Sequence, residues 1–149
     1  MAGTVIADNL QAASTSTLVI KNGVANTPPT IQDSVGTEIG TFCRAWVNFD
    51  GTGTFSPNPS TTKIRASFNV SSITDNGTGD YTVNFTNAMP DINYSFAGNS
   101  SQDAGTGTGG AFVVNQGATT PTTSAFNLRV HRSAVAYADA AYVSIAFFR

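Results

Sequence analysis

The stretch SSITDNGTGDYTVNF, residues 71–85, places a cluster of Asp, Asn, Gly and Thr between two segments rich in strand-forming residues. Tyr81, Val83 and Phe85 alternate with polar residues, and this period of two is typical of a half-buried strand. The intervening residues 75–80 are of the Asn-Gly type that supplies positive φ in a tight turn. The stretch therefore predicts a β-hairpin, and with it a β-rich fold.

The loop of residues 75–80 also has an alternative interpretation, because its oxygen-bearing side chains could hold a divalent cation weakly. An EF-hand loop needs oxygen ligands at alternate positions and a distal glutamate. The only glutamate of the chain is Glu38, which is far away in sequence. We therefore predict a structural turn and no metal site.

The same period of two continues on both sides of the hairpin. In CRAWVNF, residues 43–49, the apolar face contains Ala45, Val47 and Phe49, and the polar face contains Arg44, Trp46 and Asn48. In KIRASFNV, residues 63–70, the apolar face contains Ile64, Ala66, Phe68 and Val70. In AFNLRVHR, residues 125–132, it contains Phe126, Leu128 and Val130. The alternation predicts strands with one buried face and one solvent-exposed face.

The final segment AYVSIAFF, residues 141–148, is apolar on both faces, which predicts a central strand. INYSF and AFVVN add further candidates, and we expect roughly six or seven strands without a helix. The predicted fold is all-β, an antiparallel β-sandwich of the jelly-roll-like or Ig-like kind. It would occupy residues 41–149.

The first forty residues differ from the rest. Turn formers dominate them, and Pro28 and Pro29 prevent a helix and favour extended chain. Such a segment has few apolar anchors with which to offset its ordering entropy. Residues 1–40 are therefore predicted to be an extended N-terminal arm that orders against a partner.

Charged residues make up only 11% of the chain, and the net charge is −2. Seven Lys and Arg residues are scattered without a basic stripe, so we expect neither nucleic acid nor an anionic membrane surface as a partner. No segment approaches a membrane span or an export signal. The single cysteine, Cys43, lies in a strand-like segment and is predicted to be a buried thiol rather than a nucleophile.

No catalytic constellation or cofactor motif stands out, and we expect a protein that is not an enzyme. His131 is the sole histidine and lies on a polar strand face with Arg129, which is typical of a solvated or interface residue. Trp46 has three interpretations that the residues leave open. It could stack on a sugar ring, lie in a subunit interface or cap one end of the core.

The segments CRAWVNFDGTGT, IRASFNVSSITDNGTGDYTVNFTNAMPD and NYSFAGN, within residues 43–98, resemble a module of bacteriophage virion proteins. Proteins with this module are described as tail fibre or structural proteins of phages infecting cyanobacteria and other aquatic bacteria. The chain departs from the module at FSPNPSTTK, residues 55–63, which is a longer connection. The resemblance implies a virion component made in the host cytoplasm, and it supplies no catalytic residues.

A single body with a sparsely charged arm fits a capsid decoration (cement) protein that stabilises neighbouring capsid subunits. The alternative is a short tail fibre that contacts a host surface glycan. In either case the expected partners are phage capsid or tail proteins. We also predict self-association, and the resemblance implies that the assembly is a trimer. The candidate interface residues are Trp46, Arg129 and His131.

Overall fold

The computed structural model describes residues 31–40, 42–101, 112–115, 120–133 and 136–149. Every regular element within these residues is a strand. In chain order the strands are β1 (Ile31–Gln32), β2 (Glu38–Gly40), β3 (Cys43–Phe49), β4 (Ile64–Phe68), β5 (Val70–Gly77), β6 (Asp80–Phe85), β7 (Ser95–Ser100), β8 (Phe112–Asn115), β9 (Ala125–Ser133), β10 (Ala136–Tyr137) and β11 (Val143–Phe148).

Eight of these strands form two antiparallel four-stranded layers. The first layer has the order β4-β3-β11-β7 and the second has the order β8-β9-β6-β5, with β10 paired to β9. Only one residue pair, Asn99 with Phe112, continues the pairing from β7 to β8. The two layers enclose a common hydrophobic core. The prediction of an all-β antiparallel sandwich is therefore confirmed.

The core lies between the layers and is filled by alternate residues of the long strands. Tyr81 and Val83 of β6 and Leu128 of β9 are fully buried, as the sequence alternation predicts. An aromatic cluster joins the layers, because the Phe147 ring of β11 lies 5.0 Å from Phe85 and 5.1 Å from Phe126, in edge-to-face geometry. Strand β11 pairs with both β3 and β7, so its predicted central position is confirmed.

The prediction that the segment KIRASFNV forms one strand with a buried apolar face is wrong. Asn69 has a positive φ of 56° and divides the segment into β4 and the start of β5, which belong to different layers. Phe68 is 56% exposed, and Ala66 is also exposed. The cause is register, because Phe68 pairs with the outward-facing Trp46 on β3 and therefore shares its outer face. Val70, beyond the corner, is buried in the core as predicted, and Ile64 is partly buried against it.

Arg44 was expected on the polar face of β3 but is only 8% exposed. The pairing of β3 with β11 shifts here, since Phe147 pairs with Ala45 and Phe148 pairs with Cys43. Arg44 is thus the extra residue of a β-bulge, and a bulge redirects side chains away from strict alternation. Cys43 is half-buried rather than buried, and its thiol donates to the Ala45 carbonyl at 3.2 Å.

The predicted hairpin is present between β5 and β6. Gly77 pairs with Asp80, so the reversal is made by Thr78 and Gly79. Asp75 Oδ1 accepts the N–H of Gly77 at 2.9 Å, which is the local turn bond expected of an aspartate in this position.

The connection at residues 55–63 covers the outer edge of β5. The Asn58 side-chain amide exchanges two hydrogen bonds with the Asp75 backbone, at 2.8 and 2.9 Å, in the manner of a neighbouring strand. Ser60 adds a backbone bridge to Ile73 and is itself fully buried. The edge of this layer is therefore closed by the loop, which suppresses pairing with another chain.

Most of the predicted arm, residues 1–30, lies outside the described residues. Residues 31–40 form a short two-stranded hairpin in which Ile31 pairs with Gly40. Asp33 Oδ1 accepts the N–H groups of Val35 and Thr37 and fixes the turn. Nearly all side chains of this hairpin are exposed.

Candidate functional site: a groove beside Trp46

The outer face of the β3-β11-β7 layer carries a concave surface, here called the Trp46 groove. Its volume is about 500 Å³. The lining residues are Trp46, Val47, Asn48, Ala97, Gly98, Asn99, Ser144, Ile145 and Ala146. Three adjacent strands thus contribute to one surface. Val47 and Ile145 are buried core residues at its base, and the outward-facing positions are those of Trp46, Asn48, Ala97, Asn99, Ser144 and Ala146.

Strand register explains why the groove is concave. Trp46 pairs with Ala146 on β11, and Ala146 pairs in turn with Ala97 on β7. Residues directly opposite each other in antiparallel strands point to the same face. The next two positions in the row across the layer are therefore alanines, Ala146 and Ala97, and their small methyl groups leave space beside the Trp46 indole. Trp46 itself is 38% exposed.

A polar row runs next to this apolar row. Asn48 pairs with Ser144, and Ser144 pairs with Asn99. Asn48 Nδ2 donates to Ser144 Oγ at 2.6 Å, which orients the amide. The exposed side chain of Asn99 makes no hydrogen bond to another described residue. The groove thus combines one aromatic ring with neutral donors and acceptors, and none of the described residues that line it is charged.

The outer face of the other layer carries a second cluster. Arg129 Nε lies 3.2 Å from Asp80 Oδ2, and Arg129 Nη1 donates to the Tyr137 hydroxyl at 2.9 Å. The guanidinium also lies 4.7 Å from the centre of the Tyr137 ring, which the His131 ring meets edge-to-face at 4.7 Å. Arg129 thus links Asp80 and Tyr137, and His131 packs against the Tyr137 ring, so these side chains form one polar-aromatic surface.

The structure does not bring the three predicted interface residues together. Trp46 lies on the outer face of one layer, whereas Arg129 and His131 lie on the outer face of the other. The exposure of Trp46 followed from alternation in CRAWVNF. Its partners Asn48, Ser144 and Asn99 could not be grouped from the sequence, because only the strand order and register place them side by side.

In the part of the chain that the structure describes, no group of three His, Cys, Asp or Glu residues could hold a metal ion. Over the same residues there is no helix of the length and apolarity that crossing a membrane requires.

Three comparisons with known proteins complete the description. The chain matches no protein-family model, no curated protein and no solved structure.

Proposed function

We propose that the protein is a structural component of a bacteriophage virion and that, within the virion, it is a capsid decoration protein. The resemblance of residues 43–98 to the virion module supports the first statement. That stretch runs from β3 into β7 and includes both strands of the 75–80 hairpin. It therefore provides strands of both layers of the sandwich.

The observation that carries the proposal is the exposure of large apolar side chains on residues 31–42. Nine large hydrophobic residues are exposed in the described part of the chain, and four of them lie in this segment: Ile31, Val35, Ile39 and Phe42. Val35 is 83% exposed and Ile39 is 65% exposed. None of the four belongs to the core cluster of the sandwich.

An isolated two-stranded hairpin is at best marginally stable in water. Burying a Val, Ile or Phe side chain contributes about 1.5–3 kcal/mol relative to leaving it exposed. A hairpin that buries nothing of its own gains this free energy only against another surface. Docking of residues 31–42 on neighbouring capsid subunits supplies such a surface, as a decoration protein requires.

The experiment uses capsids from a phage in which the gene for this chain is deleted. Purified protein is added back, and its binding to the capsids and their resistance to heat are measured. A Val35→Ser, Ile39→Ser double variant removes two apolar contacts of the hairpin. Ile92→Ser is the matched control, because Ile92 is equally an exposed aliphatic residue but lies outside the arm.

We expect the wild-type protein and Ile92→Ser to bind and to raise the heat resistance of the capsids, and the double variant to bind weakly. Equal binding by all three proteins would refute the role of the arm. Failure of the wild-type protein to bind any capsid would refute the decoration function.

A further inference from the structure

We propose that the Trp46 groove is a binding site for a neutral saccharide. This activity goes beyond a decoration function, which requires no small ligand. The groove offers an aromatic surface, an adjacent space and a row of uncharged polar groups.

The aromatic part of the site is the Trp46 indole. The C–H faces of a pyranose ring are apolar and pack on aromatic rings, while the hydroxyl groups project from the ring edge. Ala146 and Ala97 occupy the two neighbouring positions across the layer, and adjacent strands are about 4.8 Å apart. The space over these two methyl groups is therefore of the size of one sugar ring.

The polar part of the site is the row of Asn48, Ser144 and Asn99. Amide groups present both donors and acceptors, and a serine hydroxyl serves as either. This row lies two residues along the strands from the row of Trp46, a distance of about 7 Å. A sugar ring packed beside Trp46 directs its hydroxyl groups towards these side chains.

The charge of the site selects a neutral ligand. None of the described residues that line the groove is charged, so a phosphate, sulfate or carboxylate group would be desolvated without a partner among them. The nearby Arg65 is already engaged, since its guanidinium lies 4.1 Å from the centre of the Tyr142 ring and 3.5 Å from Asp50. Neutral glycans fit this surface, and acidic glycans do not.

Trp46 is the only tryptophan of the chain, so its fluorescence reports on the groove alone. The full chain is titrated with soluble β-glucan, mannan and galactan as neutral probes and with hyaluronan as the acidic control. Electrophoresis in gels that contain each polymer measures retardation independently of fluorescence. Light scattering of the same samples follows the oligomeric mass.

Two variants remove parts of the site. Trp46→Ala deletes the stacking surface, and Asn99→Ala deletes a free amide. Phe68→Ala is the matched control, because Phe68 is an exposed aromatic residue adjacent to Trp46 on the same outer face but does not line the groove. All three positions are on the outer face, so thermal melting is expected to be close to that of the wild-type protein.

We expect at least one neutral polymer to shift the tryptophan fluorescence and to retard the wild-type protein and Phe68→Ala equally. Trp46→Ala should lose about tenfold or more in affinity, and Asn99→Ala about threefold to tenfold. Retention of capsid binding by Trp46→Ala would separate this site from the function of the arm.

Three results would overturn the proposal. The first is the absence of any fluorescence shift or retardation with the three neutral polymers. The second is equal retardation of wild-type protein and Trp46→Ala. The third is a loss of oligomeric mass in Trp46→Ala, which would make the groove a contact between copies of the chain.

Discussion

The Tyr81 hydroxyl lies 2.7 Å from Asp139 Oδ1 and 2.7 Å from the carbonyl oxygen of Gly51. The same Asp139 oxygen accepts the backbone N–H of Gly79 at 2.8 Å. Burial, reinforced by the neighbouring Asp139, raises the pKa of Tyr81 above its ordinary value, so the hydroxyl remains a proton donor. One buried side chain of β6 thus ties the hairpin turn to the segments that follow β3 and β10.

Tyr81→Phe is expected to destabilise the protein. The substitution keeps the ring in the core but removes the one O–H that the Gly51 carbonyl and Asp139 Oδ1 share, so the Gly51 carbonyl loses this donor while Asp139 Oδ1 keeps the N–H of Gly79. Unsatisfied buried groups cost about 1–3 kcal/mol, and urea denaturation measures the change in the free energy of unfolding. Tyr142→Phe, at an exposed tyrosine, is the control and should change it by less than about 0.5 kcal/mol. A Tyr81→Phe variant as stable as wild type would contradict the structural role of this hydroxyl.

The two glycines of the hairpin should respond differently to alanine. Both have positive φ, 132° at Gly77 and 64° at Gly79. A Cβ at Gly79 would meet backbone atoms of Val130 and Ala138 at 2.8–2.9 Å, whereas a Cβ at Gly77 meets nothing within 4 Å. Gly77→Ala is expected to cost about 1–2 kcal/mol from backbone strain alone, and Gly79→Ala distinctly more. Equal losses in denaturant midpoint would show that the close approach at Gly79 is not formed.

Chelation should leave the thermal stability unchanged. The turn at residues 75–80 is held by bonds within the chain, including Asp75 to Gly77, so no bound cation is withdrawn by EDTA. Asp75→Ala should cost no more than about 1 kcal/mol, as the loss of a local turn bond does. Calorimetry with and without EDTA is the measurement. A fall in Tm that calcium restores would refute the turn interpretation.

Self-association is predicted to give a trimer. Trp46 lies on a different layer from Arg129 and His131, so we assign the contact between copies to the surface of Arg129, His131 and Tyr137. Light scattering should give three times the chain mass, and Arg129→Ala should lower it. Arg149→Ala is the control, because Arg149 forms only an exposed ion pair with Asp91. A monomer at micromolar concentration or a dimer would each contradict this prediction.

Strand alternation in the sequence was sufficient to predict an antiparallel sandwich and much of its core. Val83 and Leu128 are buried where the period of two places them, and β11 lies between β3 and β7, as its apolar composition predicted. Alternation failed at Arg44 and at Phe68. The bulge at Arg44 and the corner at Asn69 each break the strict alternation of inward and outward side chains. Neither can be recognised from the pattern of apolar residues in the sequence.

The candidate site was predictable only at one residue. Alternation placed Trp46 outside, but a groove needs neighbours, and these come from β7 and β11, which are far from β3 in sequence. Ala97 and Ala146 look unremarkable in the chain. They matter because register sets them beside the indole, and register depends on tertiary pairing rather than on local sequence.

The most direct test of the virion function is the copy number of the protein in purified particles of the phage that encodes it. Quantitative mass spectrometry compares it with the major capsid protein, using isotope-labelled peptides of both. The decoration function predicts a copy number of the same order as that of the major capsid protein. Absence from purified virions would contradict the virion function, and a small number of copies that fractionates with tails would contradict decoration in favour of a short tail fibre.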